Sequence, residues 1–231
     1  MKVSVIRFPG SNCDIDAVRA LKTIANTTSD ILWHQENTLP KGTDLVILPG
    51  GFSFGDYLRS GAIAANSPIM AAVKKFADTG GYILGICNGF QILTETHILS
   101  GALICNHSTR FICRNVFVQI STKNTAFTKQ YGGQDAAIFP VAHHDGQYVV
   151  DEETHQRLID NDRIVFRYAD ARGNAGSNDN INGSIDNIAG IVSENRRILG
   201  MMPHPERATG IAGKTTLYDG SAMFQSLVDN I

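Results

Sequence analysis

The stretch YILGICNGFQIL, residues Tyr82 to Leu93, decides the fold. It opens as a short apolar, β-rich run with the signature of a buried strand, and it ends in the spacing of a helix. Between the two, Gly85-Ile86-Cys87-Asn88-Gly89 sets a cysteine on the strand-to-helix turn with the G-x-Nu-x-G spacing of a nucleophile elbow. Such a turn strains the nucleophile's backbone and brings the chain close to its neighbours, which side chains at the two glycines would obstruct. A thiol at a helix N-terminus also faces unpaired N–H groups and the positive end of the macrodipole, which stabilise negative charge on sulfur.

Outward from this turn, the first half of the chain repeats the same alternation. VSVIRF (Val3 to Phe8), DILWH and DLVILPGG read as strands, and Ile15, Val18, Leu21 and Ile24 recur at the spacing of one helix face. Residues 61–81 read as a helical region with Pro68 as a start or break and Gly80-Gly81 as its C-cap. Strands separated by helices of this length imply right-handed crossovers, hence an open, mostly parallel α/β sheet with helices on both faces. In the C-terminal half, RFICRNVFVQI, DAAIFPVAH, DRIVFRYAD, NIAGIVSE and RRILGMMPH follow in quicker succession and predict antiparallel strands and hairpins added to that sheet. DGSAMFQSLVDNI predicts a final helix with Asp219 or Ser221 as its N-cap, and residues 173–184 are the one loop-like segment of low complexity. No repeat or linker divides the chain, so residues 1–231 are expected to form a single domain.

Composition narrows the function classes. A net charge of −2 with scattered basic residues argues against a nucleic-acid binder. No span approaches the ~20 apolar residues of a membrane helix, and MKVSVIRFPG reads as a buried strand rather than a signal peptide. A cytoplasmic protein with reduced thiols is expected, since Cys13, Cys87, Cys105 and Cys113 include no CxxC pair. Free cysteines are usually inert core residues. Cys13, Cys105 and Cys113 are read that way, and Cys87 is set apart by its turn.

A catalytic thiol needs a base, and the base needs an orienting group. In GMMPHPERA, His204 stands between Pro203 and Pro205, which favour extended backbone, and residues i and i+2 of an extended segment share a side. Glu206 is therefore placed to hold one imidazole nitrogen while the other meets the thiol. Gly50-Gly51, at the end of a neighbouring strand, offers a backbone donor for an oxyanion, that of Gly51, and the N–H of Asn88 is the second. The loop lacks the endings of a P-loop or a dinucleotide fingerprint. His143 and His144 invite a metal site with Asp145, but adjacent strand residues face opposite ways and no cysteine has zinc-ligand spacing, so no metal is expected. His34, His97 and His155 have no supporting constellation. His107, in CNHSTRF, is open to contact with a ligand.

With G-x-C-x-G, P-H-P-E and P-G-G in the expected order, the chain resembles the class I, triad-type glutamine amidotransferases, whose fold is flavodoxin-like. FPGSNCDID, LPGGFSFGDYLRSGAIA, GICNGFQIL, NHSTRFICRNV, NIAGIVSE and GMMPHPERA are similar to one branch of that family, the glutaminase subunits that supply ammonia in purine biosynthesis. The resemblance implies that Cys87 forms a γ-glutamyl thioester, with His204 as acid and base. It implies that Gln91, and less directly Asn106 and His107, bind glutamine. It also implies that ammonia passes to a large synthetase subunit, which uses ATP and Mg to convert formylglycinamide ribonucleotide to the amidine, and that a small third subunit completes the complex. This chain itself needs no cofactor on that reading. The alternatives are a glutaminase serving another acceptor and a non-catalytic redox-sensing protein of the same fold. The sequence departs from the family at Ala142-His143-His144-Asp145-Gly146, where AHGEG is common, and at Ala65 and Cys105, where arginines are frequent.

Overall fold

The computed structural model describes residues 1–210 and 219–231. Its helices are α1 (Asp14–Ala25), α2 (Pro68–Asp78), α3 (Asn88–Glu95), α4 (Glu152–Asp160) and α5 (Asp219–Asn230). The strands are β1 (Val3–Arg7), β2 (Ser29–Trp33), β3 (Leu45–Leu48), β4 (Tyr82–Ile86), β5 (Ala102–Ile104), β6 (Ile112–Ile120), β7 (Ala136–His143), β8 (Gln147–Val149), β9 (Ile164–Ala169), β10 (Ile188–Val192) and β11 (Ile198–Met201). A nine-stranded sheet runs in the order β2-β1-β3-β4-β11-β10-β9-β6-β7, and β5 pairs with β8 in a separate antiparallel ribbon.

The sheet has two halves. From β2 to β11 every pairing is parallel. From β11 to β7 every pairing is antiparallel. β3 is buried throughout and β4 nearly so, as strands covered on both faces must be. β7 alternates buried with half-buried residues, the pattern of a strand with one covered face. The chain moves one way across the sheet from β1 to β2 and the other way from β3 to β4 to β11. Right-handed crossovers therefore set α1 on one face and α2 and α3 on the other. α5 packs beside α1, while α3 crosses β3, β4 and β11.

Some expectations change in detail. RRILGMMPH, expected among the antiparallel additions, forms β11, which is antiparallel only to β10 and runs parallel to β4. The hairpin reverses the chain, so its second strand returns in the direction of the parallel half. In that register Gly200 lies opposite Gly85 and Met201 opposite Ile86, which carries Met202 to His204 alongside Cys87. Pro68 opens α2 at a position where its missing N–H costs nothing. α3 ends at Glu95, and His97 lies beyond it at a φ of 58°. Asp219 is the first residue of α5; its carboxylate accepts hydrogen bonds from the Ile138 N–H and Gln134 Nε2, tying the helix to β7. Residues 173–184 are no loose loop at their end, where Asn182 and Ser184 are buried. Among the described residues no helix is long and apolar enough to cross a membrane.

Candidate active site

In an open α/β sheet ligands bind at the carboxyl ends of the parallel strands. The loops that leave β1, β3, β4 and β11, four adjacent strands, carry Cys13, Gly50-Gly51, Cys87 and His204 respectively. Cys87 adopts φ 50° and ψ −105°, a left-handed conformation that costs about 1–3 kcal/mol in a non-glycine residue. Its N–H donates to the Met201 carbonyl at 2.7 Å, which helps hold that strained turn. The backbone of Gly89 presses on the end of β3, and a Cβ there would fall onto the Leu48 carbonyl. The elbow is thus closed by the neighbouring strand.

His204 and Glu206 are both buried, and Nδ1 of the imidazole lies 2.7 Å from Glu206 Oε1. The sequence pairs these residues through an extended segment. The pair forms differently: Pro205–Arg207 make a single tight turn, with proline at its first position, and this brings the carboxylate to the ring. The His204 N–H donates to the Pro140 carbonyl at 2.9 Å and anchors the segment. Burial opposes a charge on the ring, but the Glu206 carboxylate and the Cys87 and Cys13 sulfurs outweigh it and hold the imidazolium well above the ordinary histidine range. Nε2 is buried and has no hydrogen-bond partner among the described residues.

Gly50 shows how closely the parts meet. A Cβ added there would lie 2.6 Å from His204 Cε1, 3.1 Å from Cys13 Sγ and 3.3 Å from Cys87 Cβ. Two thiols therefore share the surroundings of one imidazole. Of the three cysteines expected to be inert core residues, Cys13 is buried as expected, whereas Cys105 is half-buried and Cys113 exposed. Cys13 follows β1 at the same end of the sheet as Cys87. Burial pushes its thiol up, countered in part by His204, and it donates to Asn12 Oδ1 at 3.1 Å.

The loop after β3 is clamped onto residues 10–13. Phe52 N–H donates to the Gly10 carbonyl and Cys13 N–H to the Gly50 carbonyl. Gly51 sits between these bonds at φ 140°, where a Cβ would meet the Asn12 nitrogen at 2.7 Å. Its own N–H stands outside this ladder, and the Asn88 N–H, opening α3, has no intrahelical acceptor. The Asn88 side chain fastens the same loop by accepting from the Ser53 N–H at 3.2 Å and donating to Asp56 Oδ1 at 3.3 Å. Burial, with Asp145 nearby and partly offset by Ser60, raises the Asp56 carboxyl to about 6.

Gln91 is buried one turn along α3, where its Oε1 accepts from Asn88 Nδ2 at 2.9 Å and its Nε2 donates to the Asp145 carbonyl at 2.6 Å. Asn106 is buried with its amide occupied on both sides. Nδ2 donates to the Arg110 and His143 carbonyls, and Oδ1 meets the Gly146 N–H and His143 Nδ1. It pins the loop 143–146, which Asn182 also supports by donating to the Gly146 carbonyl at 2.7 Å. His107 is exposed, and its contacts run to Asn182 and Gly183. Burial, then the His204 charge, lowers the His143 ring to about 4, so it stays neutral. His144 and Cys105, two of the positions where the sequence departs from the family pattern, touch each other, with Sγ 3.7 Å from Nε2.

Comparison with known proteins gives the family. Residues 1–226 match the CobB/CobQ-like glutamine amidotransferase domain. The chain is 49% identical to phosphoribosylformylglycinamidine synthase subunit PurQ of Rhodospirillum rubrum, with 100% of each chain covered. It is 51% identical to the PurQ subunit of Cereibacter sphaeroides, over 99% of this chain and 97% of that one. Among solved structures, PurLQS from Thermotoga maritima matches with a TM-score of 0.83 and 37% identity, covering 99% of this chain and 97% of that one. The nucleophile elbow and the buried imidazole–carboxylate pair thus stand on the fold these relatives share, and the chain belongs to the glutamine amidotransferase family, in its branch of PurQ subunits of phosphoribosylformylglycinamidine synthase.

Proposed function

We propose that residues 1–231 work as one glutaminase domain in which Cys87 is the nucleophile, His204 the proton carrier and Glu206 its orienting carboxylate. The observation that carries this reading is the strained Cys87 turn facing a buried imidazole whose far nitrogen is 2.7 Å from Glu206. With the thiol proton already carried on His204 Nε2, the Cys87 sulfur attacks the side-chain carboxamide carbon of glutamine. The Gly51 and Asn88 N–H groups take the charge that forms on oxygen. His204 then protonates the nitrogen, the C–N bond breaks, and ammonia leaves a γ-glutamyl thioester. Water attacks that carbon as His204 accepts its proton, the C–S bond breaks, and glutamate departs. Gln91 and Asn106 act on glutamine through the 143–146 loop they hold, and His107 stands at its rim.

Ammonia goes to the large synthetase subunit, where ATP and Mg drive amidine formation, and a small third subunit completes the complex in the cytoplasm. Support for docking beside the site comes from exposed Tyr57 and Leu58 and from Phe52 stacked on Phe111, an apolar rim next to the Gly51 loop. The Glu206 contact weighs against a redox sensor, which needs a reactive thiol but no carboxylate-oriented base. Cys87→Ala tests the division of labour. Glutamine-dependent amidine formation by the reconstituted complex is expected to vanish while ammonium-dependent formation persists. Loss of both activities, or survival of both, would contradict it.

A further inference from the structure

We propose that Cys105 and His144 form a binding site for a borderline divalent cation such as zinc, separate from the triad and beyond the glutaminase reading. Cys105 follows β5 and His144 follows β7, and the Asn106 N–H donates to the His144 carbonyl at 2.8 Å, which fixes one segment against the other. Cys105 Sγ and His144 Nε2 are 3.7 Å apart. Two donors on a tetrahedral zinc, at about 2.3 Å for sulfur and 2.0–2.1 Å for nitrogen, stand about 3.6 Å from each other. A cation can therefore enter between them with almost no movement of either side chain.

The surroundings match a metal-binding imidazole. The other ring nitrogen, Nδ1, lies 2.7 Å from Asp145 Oδ1, the carboxylate contact that fixes the tautomer of a ligating histidine. That carboxylate is held in turn by Ser60 Oγ, which donates to Oδ2 at 2.9 Å. Donor groups of Cys105, His144 and Asp145 all lie within 4.8 Å of one another. Sulfur and imidazole select zinc-like ions over magnesium or calcium. The half-buried thiol and exposed imidazole leave the remaining coordination positions to water. The Asp145 carbonyl accepts from Gln91, so a cation here would stiffen a loop that the glutaminase site uses. Sequence spacing could not show this site, because its two ligands come from distant strands.

Cobalt(II) titration of the full chain tests the site, read as thiolate-to-metal absorption in the near ultraviolet and bleached by added zinc. One equivalent per chain is expected. Cys105→Ser and His144→Ala should each abolish the band while circular dichroism stays native, and Cys87→Ser and Cys113→Ser should keep it. Asp145→Asn should weaken binding by about 10–100-fold. A wild-type chain without the band, or a band that survives Cys105→Ser, would overturn the proposal. A band lost instead with Cys13→Ser would assign the cation to the Cys13, His204 and Glu206 cluster. Because the readout is metal absorption, it stands or falls apart from glutamine turnover.

Discussion

A single methyl group at residue 50 measures how tightly the site is packed. Gly50 carries no left-handed backbone, so Gly50→Ala adds volume without conformational strain. The new Cβ would stand 2.6 Å from His204 Cε1, whereas carbon atoms pack best at about 3.5–4.0 Å. Relief requires a shift of about 1 Å, and the ring has little freedom, with Glu206 on Nδ1, Pro140 on its backbone and Cys13 and Cys87 at its sides. A misplacement of about 1 Å costs about 10²-fold in rate, so kcat for glutamine hydrolysis should fall by that order. Overpacking should also lower stability by about 1–3 kcal/mol. Gly133→Ala is the control, because a Cβ there meets nothing within 4 Å. The assay is glutamate release by the complex, with ammonium-dependent amidine formation and thermal unfolding measured in parallel. Wild-type turnover in Gly50→Ala would refute the packing argument.

Further outcomes follow from other parts of the site. Glu206→Gln removes the charge that holds His204 protonated, so the imidazolium should titrate at lower pH by ring NMR, and kcat should fall by about 10²–10⁴-fold with the fold intact. Asp56 titrates near 6 when folded against an ordinary value of 3.8, so the folded state binds the extra proton between them. Stability is therefore lost as pH rises through that window. Asp56→Asn should then unfold at higher urea than wild type above pH 6, with the advantage fading toward pH 4. Asn106→Ala leaves the Gly146 N–H and the His143 groups without their buried partner, and chemical denaturation should show a loss of about 2–3 kcal/mol.

Local signals carried most of the fold. Apolar runs of strand length, helix-period residues and Pro68 were legible because each acts within a few residues. The direction of β11 was not, since it depends on which neighbours a hairpin meets. The pairing of His204 with Glu206 could be read from i, i+2 spacing, although a tight turn after Pro205, rather than an extended strand, joins them. Nothing near Cys13 in sequence shows that it neighbours His204. Only the order β1-β3-β4-β11 brings it beside His204. Asn106 enters as a glutamine contact only through the resemblance, and the structure shows its amide bonded to the Arg110 carbonyl and to the 143–146 loop.

The most direct test of the account is mass spectrometry of the complex quenched in acid during glutamine turnover. A γ-glutamyl adduct should appear on the peptide that contains Cys87, and it should disappear in Cys87→Ala. An adduct on Cys13, which shares the same histidine, or steady turnover with no acyl-enzyme at all, would contradict the assignment of Cys87 as nucleophile.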